Sequence, residues 1–169
     1  MSKHRIRILN AAALAVTVIV FASVVQMPYY LLYNPSESAP RGWYGVMPIG
    51  NVRVDDLVVV DLPEPVSQFA AERRYLPRTV PLLKPVAAVS GMSVCEANGA
   101  LSINGVGVAR ASHRDGVGRV LAPWSDCRSL ADDEVFLLSH HSDASFDSRY
   151  FGPVNRSAIR GRAIPLWTW

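Results

Sequence analysis

A chain of 169 residues has room for one compact domain with an attached anchor, and not for several domains. Half of its residues are hydrophobic, which is high for a freely soluble body, and the formal net charge is +3. Lys3, Arg5 and Arg7 account for that excess by themselves, so the rest of the chain is balanced and lacks the clustered basic face that nucleic-acid binding needs.

Residues 1–7 are basic, and Ile8 to Val25 then runs without a charge, its apolar character extending to Leu32 through Pro28, Tyr29 and Tyr30. About 20 apolar residues span a bilayer core, and tyrosines flank such spans at the interface. The positive-inside rule leaves the basic end in the cytoplasm. The expected organisation is therefore a cytoplasmic tail at 1–7, a transmembrane anchor at 8–32 and an exported domain at 33–169. A cleaved signal peptide is the rival reading, but Ala22 and Ser23 make a poor cleavage site and the run is long for the purpose.

Asn34-Pro35-Ser36-Glu37-Ser38-Ala39-Pro40-Arg41-Gly42-Trp43-Tyr44 follows directly. The two prolines hold Asn34 and Ala39 extended, which puts the Ser38 hydroxyl on a stiff, bent loop at the membrane face. On this stretch alone a juxtamembrane linker is the simpler reading.

Trp43–Met47 and Asp56–Asp61 read as strands, the second an apolar run closed by aspartates. Ser67–Tyr75 reads as one short helix with Ser67 at its N-cap, ended by Pro77. Val80–Ser90 is apolar except for Lys84. After Gly91 and the strand Met92–Glu96, Asn98-Gly99 and Asn104-Gly105 each mark a tight hairpin, the second leading into Val106–Arg110. Ser112–Gly118 reads as an exposed loop, Glu134–Leu138 as a buried strand, Ser139–Gly152 as a polar, turn-like segment and Ala158–Trp169 as a closing strand. The body is mainly β.

Only Lys3 and Lys84 are lysines, so the body holds one amine that burial could deprotonate. A neutral amine beside a serine hydroxyl makes a nucleophile, and Ser38 is the candidate partner, with a backbone N–H of the loop and the Ser36 hydroxyl together as oxyanion donors. The competing structural role for Lys84 is a lysine snorkelling from a strand end. His140, His141 and Asp147 offer a Ser-His-Asp alternative, although adjacent loop histidines usually face solvent. Cys95 and Cys127 form either a disulfide, if the body is exported, or a pair of buried thiols. No His/Cys cluster has metal-ligand spacing, and the chemistry calls for no metal or cofactor. Trp167 and Trp169 suit either the headgroup region or an ordinary tail.

Ser145-Phe146-Asp147-Ser148-Arg149-Tyr150-Phe151-Gly152 resembles the last signature box of type I signal peptidases. Ser38 with its prolines resembles the nucleophile box, and Leu83-Lys84-Pro85-Val86 followed by Gly91 resembles the general-base box, in the same order. The nucleophile box Ser38-x-Pro40-x-Gly42-x-Tyr44, the preceding Arg74-Tyr75-Leu76-Pro77 and the short chain are most similar to the TraF-type peptidases of conjugative transfer systems. Ser139-His140-His141-Ser142 stands where housekeeping enzymes carry Gly-Asp-Asn-Arg.

The resemblance implies a signal-peptidase/LexA-like β-rich catalytic domain with one N-terminal transmembrane helix on the periplasmic face of a bacterial inner membrane. It implies Ser38 as nucleophile, Lys84 as general base and Asp147 as a further catalytic residue, supported by Arg149. Ser36 would help bind the oxyanion, and Ser145 would orient the lysine. The implied substrate is an exported or membrane-embedded precursor, in particular a conjugative pilin precursor, either cleaved or cyclised, with membrane lipid and other transfer-apparatus proteins as partners. The alternatives are a general signal peptidase and an inactive assembly factor that keeps the fold.

Overall fold

The computed structural model describes residues 3–24 and 30–169. The N-terminal helix α1 spans Lys3–Val24, taking in part of the expected basic tail, and its Ile8, Leu14 and Val16 are exposed. Among the described residues, no helix is long and apolar enough to cross a membrane. Of the expected anchor, residues 25–29 lie outside the described residues.

The body is built from two antiparallel sheets. Seven strands form the larger, in the order β1-β2-β11-β3-β4-β9-β10: β1 Tyr30–Asn34, β2 Gly42–Met47, β3 Leu57–Val60, β4 Leu82–Val89, β9 Glu134–Leu137, β10 Val154–Asn155 and β11 Ile159–Thr168. The smaller has the order β7-β6-β5-β8, from β5 Ser93–Ala97, β6 Ala100–Ile103, β7 Val106–Arg110 and β8 Cys127–Ser129. Asn98-Gly99 and Asn104-Gly105 turn the β5–β6 and β6–β7 hairpins, all four residues at positive φ as the tight hairpin turn requires. Leu101, Ile103, Phe136 and Leu138 pack the interface between the sheets. A second cluster, with Val58, Val60, Val86 and Leu137, fills the opposite side of the larger sheet.

Several expectations change. Tyr30–Leu32, expected at the end of the anchor, belong to β1 and pair with Val46, Gly45 and Tyr44 of β2. Helix α2 is Val66–Glu72, with Pro65 at the N-cap position, so Ser67 lies buried inside the helix instead of capping it. The helix also stops before Pro77, because Arg74 turns into the left-handed region at φ 59°. Ser139–Gly152 does bend and turn over 140–147, but Ser139, Ser145, Asp147, Ser148 and Arg149 are buried, and Ser148–Phe151 form the short helix α3. Polar composition misleads there because the buried groups bond to one another.

Ser112–Gly118 is tied down as well. Asp115 accepts the Tyr75 hydroxyl at 2.6 Å and Arg119 Nε at 2.7 Å, which pins this loop against the end of α2.

Candidate active site

Lys84 lies in mid-β4, opposite Val58 of β3, with strands on both sides, which is why it is only 3% exposed. Its Nζ donates to Ser145 Oγ at 2.6 Å. Burial pulls the amine down from 10.5 to about 8; Asp147 opposes that shift and Arg149 adds to it. Close to half of the Lys84 population is thus neutral in mildly alkaline water, where an exposed lysine would be almost wholly protonated.

Ser38 sits in the turn between β1 and β2 and is half-buried. Its Oγ lies 2.8 Å from Ser36 Oγ. Asn34 closes the turn from inside: Nδ2 contacts the carbonyls of Ser36, Ala39 and Pro40 at 3.1 Å each, and Oδ1 accepts the Ser36 N–H at 3.1 Å and the Ser36 hydroxyl at 2.8 Å. Tyr44 adds a 2.6 Å bond from its hydroxyl to Pro40 O. Gly42 cannot be replaced without movement, because a Cβ there would stand 2.1 Å from Trp167 O on β11.

Ser139, at the end of β9, connects this turn to the segment carrying Asp147. Its Oγ donates to Ser38 O at 2.6 Å, its N–H donates to Asp147 Oδ2 at 3.1 Å, and its carbonyl accepts Arg149 Nη2 at 2.9 Å. Asp147 and Arg149 form a fully buried ion pair, Nε to Oδ1 at 2.8 Å and Nη2 to Oδ2 at 3.1 Å. Arg149 also reaches the carbonyls of Asp143 and Arg110, so the charge is held by hydrogen bonds as well as by its partner. Ser148 Oγ accepts the Leu137 N–H at 2.9 Å, and a Cβ on Gly152, at φ 74°, would fall 2.6 Å from the Trp124 ring. Phe146 is packed among Phe69, Tyr75, Tyr150 and Phe151, which fixes the backbone between Ser145 and Asp147.

Two groupings result: Lys84 with Ser145, Asp147 and Arg149, and Ser38 with Ser36, joined through Ser139. No hydrogen bond links Ser38 directly to Lys84 among the described residues. His140 and His141 are exposed; the oxygens of Asp147 are taken by Arg149 and Ser139, and neither imidazole bonds to Ser38 or Asp147 among the described residues. Cys95 and Cys127 form a disulfide between paired positions of β5 and β8. Sequence reasoning missed Asn34 and Ser139. Asn34 had a local signal, an Asn able to bond backbone within the following turn; Ser139 had none, since its partner is 101 residues away.

A family profile described as "Signal peptidase, peptidase S26" matches residues 3–168. The chain belongs to that family. Among its similar relatives, the plasmid transfer protein TraF of Escherichia coli is 40% identical over 91 residues, covering 52% of this chain and 51% of the relative. That match spans about half the length of the E. coli protein. The conjugal transfer protein TraF of Agrobacterium tumefaciens (strain 15955) is 33% identical over 179 residues, 99% of this chain and 98% of the relative. A signal peptidase I structure from Enterococcus faecalis V583 aligns at a TM-score of 0.41 and 19% identity, over 68% of this chain and 97% of that one, too remote a likeness to argue from. In this peptidase S26 member, the buried amine of Lys84 bonds Ser145, and the braced turn of Ser38 is tied through Ser139 to Asp147 and Arg149.

Proposed function

We propose that the chain is a membrane-anchored serine endopeptidase with Ser38 as nucleophile and Lys84 as general base. The observation that carries this reading is the buried amine, whose proton affinity is lowered to about 8. Neutral Lys84 takes the proton of Ser38 as Oγ attacks the scissile carbonyl, and the protonated amine then passes it to the leaving amine. The acyl-enzyme is resolved by water, which cleaves the precursor, or by an amine of the substrate, which cyclises it. Ser36 and the Ser38 N–H serve the oxyanion. Ser145 orients the amine, while Asp147, with Arg149, positions the segment and touches no reacting atom. Amine, hydroxyl and backbone donors suffice for this chemistry without a metal or cofactor.

The setting is the outer face of a bacterial inner membrane. A disulfide fits an oxidising compartment. The exposed apolar side chains of α1 suit lipid, and the exposed Tyr33, Trp43, Trp167 and Trp169 suit the headgroup region beside it. The names of the relatives, plasmid transfer and conjugal transfer proteins, favour a precursor handled during conjugation, with a pilin precursor as the preferred substrate, over the general run of secreted proteins. Ser38→Ala and Lys84→Ala are expected to leave that precursor unprocessed in cells. Processing that survives both variants would leave an inactive assembly factor as the better reading. Equal processing of unrelated secreted precursors would favour a general signal peptidase.

A further inference from the structure

The direction of the hydrogen bond between Ser36 and Ser38 is fixed by Asn34. The orientation of this carboxamide is determined by its surroundings, because Nδ2 faces three carbonyls and Oδ1 faces the Ser36 N–H. The reverse assignment would set an oxygen against three oxygens. Oδ1 can only accept, so its 2.8 Å contact with Ser36 Oγ uses the single proton Ser36 owns. The 2.8 Å contact between the two hydroxyls is then donated by Ser38.

We infer that Asn34 is a positioning residue whose carboxamide keeps the nucleophile turn closed and sets a hydroxyl relay, Ser38 to Ser36 to Asn34, that holds the Ser38 hydroxyl in place for attack. The inference rests on the peptidase reading above. On attack, the Ser38 O–H turns to neutral Lys84; the O–H bond breaks, the proton goes to Nζ, Oγ bonds the carbonyl carbon, and the carbonyl π pair moves onto its oxygen. Ser36 turns its own O–H from Oδ1 to that oxyanion. Oδ1 keeps the Ser36 N–H and Nδ2 keeps the carbonyls, so Asn34 releases the hydroxyl while the loop stays closed. A residue that could not both brace carbonyls and accept a hydroxyl would fail in one of these two duties.

The test follows labelling of the full-length protein by a serine-reactive fluorophosphonate, which needs an activated nucleophile but no precursor. Asn34→Ala is expected to label about tenfold more slowly, with the pH midpoint of labelling unchanged because Lys84 is untouched. In Asn34→Asp the new carboxylate faces three carbonyls, and only its protonated form donates to them. Its rate relative to the parent is expected to rise as the pH is lowered from about 8 to about 6. Asn34→Ala labelling within about twofold of the parent overturns the inference, as does a flat ratio for Asn34→Asp. So does a midpoint that climbs toward that of a free lysine, the mark of a site merely loosened. Labelling that persists in Ser38→Ala sinks the peptidase reading instead, whatever the Asn34 variants do.

Discussion

At the scale of the residue, Lys84 sets a stability and, in the proposed mechanism, an activity, and the two can be read separately. Its folded proton affinity lies below the unfolded value, so between about 8 and 10.5 the unfolded chain binds the extra proton and stability rises with pH. Below about 8 the penalty is fully present, on the order of 3 kcal/mol from the size of the shift. Lys84→Met removes that penalty and leaves only Ser145 without its partner, so a net gain of about 2 kcal/mol at neutral pH is expected in denaturant unfolding, together with complete loss of labelling at Ser38. Asp147→Asn should do the reverse. It leaves Arg149 buried without a counter-charge, and a loss of about 3 kcal/mol is expected by the same measurement.

At the scale of the element, the disulfide closes a stretch of 32 residues between β5 and β8. Replacing both cysteines by serine is expected to lower unfolding stability by about 3 kcal/mol, while labelling of Ser38 in the folded fraction holds, since no site side chain lies on either strand. This scale also marks how much was legible beforehand. The two Asn-Gly turns announce their hairpins locally, and Lys84 stands out because a lone amine in an apolar strand is chemically conspicuous. β1 was hidden because Tyr30-Leu31-Leu32 continues the apolar run before it, and hydropathy does not separate an anchor's end from an edge strand. α3 and the burial of Ser139–Arg149 were hidden because composition counts polar atoms without showing that they satisfy one another. The bracing of Ser38 by Ser139 depends on a pairing 101 residues apart, which only the folded chain brings about.

At the scale of the whole molecule, the exposed aromatic face of β1, β2 and β11 bears on the proposed membrane setting. Tyr33 packs on Trp43 and Trp169, and Trp169 on Trp167, so the four rings form one exposed group. In the proposed membrane setting these rings would hold the site near the bilayer without touching it, so changing Trp167 and Trp169 to serine is expected to slow processing of a membrane-embedded precursor by about tenfold in vesicles while leaving fluorophosphonate labelling unchanged.

The central claim is that a buried, near-neutral Lys84 activates Ser38. Its most direct test is the pH dependence of fluorophosphonate labelling on the full-length protein, with the modified residue located by mass spectrometry. The account predicts that the label sits on Ser38, that its rate rises with pH through a midpoint of about 8, and that Lys84→Met abolishes it. A label on another residue, a rate flat across that range, or labelling undiminished by Lys84→Met would contradict it.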